Sequence, residues 1–192
     1  MGSGEEKEEE RFLVEAIHSW VWSGFYSRSE VLALLDDELA NLESVDESAM
    51  RSLVDRELDE KARQEQHWPE TTDCDRLDLA FAGLRAVRII AIHNAGYTMS
   101  QGHNEVGQVH AQKPHGTFRG YCFYHGQDVA GAVRGHGLYL AYGDMQDTDA
   151  GKAAVAQMII KSLTDHGLAV AWSGDVKERI HLPAIGWQRR HR

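Results

Sequence analysis

Apolar positions along the chain change their period near the middle. From Arg11, the residues Phe12, Leu13, Ala16, Ile17, Trp20 and Val21 recur at three- and four-residue spacings, which predicts one face of a helix ending at Gly24. Ser27 or Ser29 is placed to cap a second helix bearing Val31, Leu32, Leu34, Leu35 and Leu39. Ser44 and Glu47 have capping-box spacing for a third, with Met50, Leu53, Val54 and Leu58 as its stripe. Pro69 ends that run, because the residue before a proline avoids the helical region. Leu77, Ala80, Phe81 and Leu84 then give an amphipathic helix over 74–86.

Beyond this helix the apolar runs shorten and become β-branched. Val87–Ile92 reads as a central strand buried on both faces, closing at His93-Asn94. Further strands are predicted at 120–125, 137–142, 168–173 and 177–182, with Val176, Ile180 and Leu182 sharing one face of the last. A short helix near 104–111, one opened by Asp128 and one capped by Asp147 or Thr148 lie between them. The expected fold is α+β, a mixed five-stranded sheet covered by helices and preceded by an N-terminal helical segment. The expected organisation is a flexible acidic N-terminus (1–10), an acidic helical segment (11–68) and an α+β domain (71–192).

Charge sharpens the division. Residues 1–75 carry 21 acids against 7 bases, and residues 76–192 carry 9 against 13. Phosphates would be repelled by the acidic half, which argues against nucleic acid. That half suits a basic protein partner. No apolar run reaches the roughly 20 residues of a membrane span, and the MGSGEEKEEE start is not a signal peptide. Two cysteines, Cys74 and Cys122, exclude a disulfide framework and fit a cytoplasmic location.

Candidate chemistry concentrates in His93–Asp128, which holds five of the eleven histidines. If the first three strands are parallel, their carboxyl ends bring His93, Asn94, His125, Gln127, Asp128, Tyr142 and Asp144 to one rim, where open α/β sheets bind ligands. The expected ligand-binding residues are His93, Asn94, Tyr97, Thr98, His103, Tyr124 and Gln127. His125, Asp128 and His93 are the catalytic candidates, with Asp128 orienting His125 and raising its pKa. Asp128 as a plain N-cap is the competing reading. His103, Glu105, His110, His115 and His125 offer metal ligands, yet their spacing matches neither H-E-x-x-H nor the zinc deaminase pattern. No cofactor is therefore expected, a divalent metal being the alternative. Cys122 lies mid-strand and reads as a core residue.

The stretches WPETTDCDRLD (68–78), HNAGYTMSQGH (93–103, including NAGYT), GYCFYHGQD (120–128) and GLYLAYG (137–143) resemble, in this order, a bacterial domain family of unknown function. The resemblance implies a fold and no activity. Some members have a CCxxCGH stretch where this chain has YTMSQGH. The cysteine positions here are Tyr97, Thr98 and Gln101, so no thiolate site is carried over. The expected function is a cytosolic binding or regulatory protein that engages a protein partner or small ligand. The alternative is a small hydrolase- or transferase-like enzyme with a His/Asp site.

Overall fold

The structure, a computed structural model, describes residues 2–42 and 45–191, which fall into two compact units. One comprises residues 1–70 and 188–192, the other 71–187.

The first unit is three helices, α1 (Gly2–Ser23), α2 (Arg28–Leu39) and α3 (Glu47–Glu65). The backbone of α1 is helical from Gly2, earlier than the Arg11 start that the apolar pattern gives. Leu13, Ile17 and Val21 of α1 pack with Val31 and Leu35 of α2 and Met50 and Val54 of α3. Ser27 caps α2 in a capping box, its own N–H donating to Glu30 at 2.7 Å. Ser44, the expected cap of α3, lies outside the described residues. Asp46 fills that role by accepting from the Ala49 N–H at 3.0 Å. Lys61 is buried and donates to the Val21 carbonyl at 3.1 Å, a cation on the negative end of α1.

The second unit runs α4 (Asp73–Ala86), β1 (Ile89–Ile92), α5 (Met99–Ala111), β2 (Gly120–Phe123), α6 (Gly126–Val133), β3 (Leu138–Asp144), α7 (Asp149–Asp165) and β4 (Ile180–Leu182). Among the described residues the sheet has four strands, in the order β1-β2-β3-β4, not five. β1 and β2 are parallel, and β3 is antiparallel to both neighbours.

The strand expected at 168–173 is an arm without regular structure, with one bridge from Ala171 to His181 of β4. The Ala171 N–H donates to the His181 carbonyl at 2.8 Å and the His181 N–H returns the bond at 3.0 Å. In this register the next hydrogen-bonded pair would be Ala169 with Pro183. Proline has no N–H, so the ladder stops there. At the other end Ser173 turns instead, accepting from the Asp175 N–H at 3.1 Å. The same turn leaves Val176 outside β4, which is confined to Ile180–Leu182.

Alternation along β2 separates two environments. Phe123 packs with Ile90, Ala95, Val106 and Ala141 under α5, and the next residue, Tyr124, meets Phe81 of α4. On the α4 side, Ser162 of α7 donates to the Ala80 carbonyl at 2.9 Å, tying the two helices together. The outer edge of β1 is engaged by Arg85, whose guanidinium donates to the Ala91 carbonyl at 3.0 Å. No helix among the described residues is long and apolar enough to cross a membrane.

Candidate functional site

Because β1 and β2 are parallel, their carboxyl ends bring His93 and Asn94 to the same rim as Tyr124, His125, Gln127 and Asp128. The antiparallel β3 carries Tyr142 and Asp144 the other way. Asp144 pairs with Gly120 at the opposite end of β2, so those two residues do not join the rim. The turn after β1 is tied to the turn after β2. The Ala95 N–H donates to the Tyr124 carbonyl at 2.8 Å, and the N–H groups of Gly126 and Gln127 donate to Gly96 and Tyr97 at 2.9 and 3.2 Å. Asn94 and Gly96 both have positive φ. A Cβ on Gly96 would come within 2.4 Å of Gln101, so this tight turn requires glycine.

His93 is partly buried. Its Nδ1 lies 2.8 Å from the Tyr124 hydroxyl and its Nε2 3.5 Å from an Asp78 oxygen. The imidazole stacks on Phe81 with ring centroids 4.3 Å apart. Tyr124 is fully buried, so its hydroxyl needs such a partner. The Asp78···His93···Tyr124 chain joins residues from three of the resemblance stretches. Asp78 is a residue that the pattern reading missed. It sits one position from Leu77 and three from Phe81, on the inward flank of the α4 stripe, where an acid is out of place unless it has a partner.

His125 and Asp128 are 5% and 7% exposed. His125, not Asp128, is the N-cap of α6, and Asp128 is the third residue of that helix. The His125 Nδ1 accepts the Asp128 backbone N–H at 3.4 Å, and the His125 N–H donates to Asp128 Oδ2 at 3.2 Å. Capping through Nδ1 puts the proton of the neutral ring on Nε2. Nε2 lies 3.2 Å from Oδ2. The other carboxylate oxygen accepts from Arg179 at 2.8 Å. Burial holds the His125 pKa below its ordinary value. Asp128 pulls it up less than burial pushes it down, and Arg179 also lowers it. The raised pKa expected from the carboxylate alone is therefore reversed. Arg179 was also missed by pattern reading. It lies 4.9 Å over the Tyr139 ring, which stacks on His181 at 4.0 Å.

The remaining candidates take separate places. Tyr97 is exposed beside Gly126. Thr98 and Gln101 form the capping box of α5, so two of the three cysteine positions of the resemblance serve a helix start. Gln127 is exposed. His103 lies on α5 against Tyr121 and Phe123, at 5.6 and 5.1 Å, away from the neighbours of His93. His110 faces Phe118, Glu105 is half-buried and His115 is exposed. Among the described residues no three His, Cys, Asp or Glu side chains gather as a metal site would need. Cys122 is fully buried and its thiol pKa is pushed up, the opposite of an activated nucleophile.

A cavity of about 270 Å³ lies in the helical unit, lined by Val21, Tyr26, Arg28, Leu58, Lys61 and Glu65 among others, and not at the histidine rim. No curated protein and no solved structure matches the chain. Residues 6–191, nearly the whole length, match a domain of unknown function, DUF6891. The extent of this match makes the chain a member of the DUF6891 family.

Proposed function

We propose that the chain is a cytosolic bacterial binding or regulatory protein whose acidic helical unit engages a basic protein partner. One observation carries the choice over catalysis: the His125–Asp128 pair is used up in building α6. The Nδ1 lone pair, which a general base would need, accepts the helix N–H, and both Asp128 oxygens already have donors. Charge supports the partner class. Residues 1–70 and 188–192 hold 19 acids against 10 bases. Such a surface speeds encounter with a basic partner and repels nucleic acid. The reading requires no cofactor.

The test is binding of a fluorescent oligolysine probe across a salt series, with the charge reversals Asp37→Lys and Asp59→Lys. Both aspartates are exposed. Binding should weaken with salt and weaken again in the double variant. Binding that ignores both changes, or none near about 0.15 M salt, would sink the proposal.

A second reading, a small hydrolase- or transferase-like enzyme, is favoured by the Asp78···His93···Tyr124 chain, in which a partly exposed imidazole is flanked by a carboxylate and a phenol. Turnover of a chromogenic ester or phosphoester that disappears in a folded His93→Ala variant would move the assignment there. A divalent metal retained in stoichiometric amount by protein purified without chelator would do the same for a metal-dependent form.

A further inference from the structure

We infer that the 168–173 arm is an open sheet edge through which two copies of this chain pair. From Leu168 to Trp172 burial alternates as along a strand, and among the described residues the arm is bonded to β4 through Ala171 alone. Backbone groups of alternate residues point to opposite edges of a strand. With Ala171 turned inward to His181, the N–H and C=O of Val170 and Trp172 turn outward. Among the described residues neither has a backbone hydrogen-bond partner. Trp172 packs edge-on against Tyr142, with ring centroids 6.2 Å apart, so the arm is held to the sheet while its outer side stays unpaired.

The arm is built to pair with itself. In an antiparallel arrangement with the twofold axis at Ala171, Val170 of each copy opposes Trp172 of the other. These are hydrogen-bonded pairs that exchange both N–H···O bonds, and the axis repeats them. The same register sets valine beside tryptophan on one face, a favourable cross-strand combination. On the other face it sets Ala171 against Ala171, two small side chains at the closest approach. Edge strands are ordinarily guarded by lysine, proline or an inward charge. Gly167–Ser173 contains none of these.

The self-complementary register selects a second copy over a foreign partner, and charge on this unit does not oppose it. Residues 71–187 hold 11 acids against 10 bases, so this unit approaches its own copy with almost no net repulsion. The acidic helical unit has no such neutrality.

Sedimentation of the full chain over a concentration series, up to about 1 mM, should show a monomer–dimer equilibrium. Val170→Pro removes an outward N–H and none of the hydrogen bonds among the described residues. It should weaken dimerisation at least about tenfold, the scale of losing a hydrogen bond from each copy. Ala171→Cys places two thiols across the axis, where facing Cα atoms are about 4.5 Å apart, within disulfide reach. It should cross-link under mild oxidation. Ala169→Cys offsets the two thiols by four residues, about 13 Å, and should not. A protein monomeric throughout overturns the inference. So does a dimer indifferent to Val170→Pro, or cross-linking that proceeds equally from both cysteine positions. If Val170→Pro does not fold, the cysteine pair decides alone.

Discussion

The same substitution at two glycines of α5 should move stability in opposite directions. Gly102 and Gly107 both have ordinary helical backbone, and replacing helical glycine by alanine contributes about 1 kcal/mol through propensity. Gly107 is exposed, and a Cβ there would meet nothing within 4 Å. Gly107→Ala should therefore stabilise by about that amount. At Gly102 the added Cβ would lie 2.2, 2.7 and 2.8 Å from three carbons of the Phe123 ring. Ordinary van der Waals contact begins near 3.5 Å, so the ring or the helix has to retreat by more than about 1 Å. Phe123 is fully buried among Ile90, Val106 and Ala141 and has nowhere to go. Overpacking of this kind costs about 1–3 kcal/mol. The propensity gain is common to both variants, so the stability gap between them isolates the clash at about 1–3 kcal/mol. Denaturant unfolding followed by circular dichroism gives that gap directly, provided the slope with denaturant is unchanged. Equal stabilisation by both variants would refute the close seating of α5 on Phe123.

Two further measurements bear on the core and the rim. Leu84 is 1% exposed on α4, and Leu84→Ala should cost about 2–5 kcal/mol; an unchanged denaturation midpoint would contradict its burial. Burial depresses the His125 pKa, so the unfolded chain takes up a proton near pH 6.5 before the folded one does. The contribution is constant above that pH, and stability falls as pH drops through it toward the folded value. NMR titration should place His125 below its ordinary value, and lower still in Asp128→Asn, which removes the carboxylate that favours the imidazolium. A His125 pKa above the ordinary value would reverse the argument.

What the sequence made legible was local. Leu77, Ala80, Phe81 and Leu84 at helical spacing are the buried face of α4, and Ile89–Ile92 of the apolar run before His93 are β1, although Val87 is the C-cap of α4 and β1 is an edge strand, not the central one expected. The strand at 168–173 failed for a reason outside its own residues. Leu168, Val170 and Trp172 do lie deeper than the alanines between them, as a strand face would. Its partner, however, offers Pro183 where a donor is needed. The rim histidines were visible as strand endings, but their partners were not. Asp78 lies 15 positions from His93, and Arg179 lies 51 from Asp128. No periodicity encodes such pairings, which exist only once the helices and strands have packed. Nor does the charge pattern tell which effect governs His125. A carboxylate three residues away is evident in the sequence, whereas the burial that outweighs it is a property of the fold.

The guanidinium of Arg85 on the Ala91 carbonyl sets a limit on growth. A sheet with two open edges can add copies without end, and that is the geometry of a fibre. Here the β1 side is occupied by a charged donor, and the side chains of Ile89 and Ala91 on one face and of Ile90 on the other are buried. Strand addition can then proceed from the β4 side only. Two such sheets joined by a twofold axis present their plugged sides outward, so assembly closes at two. A single arginine thereby separates an edge that can be used from one that could polymerise.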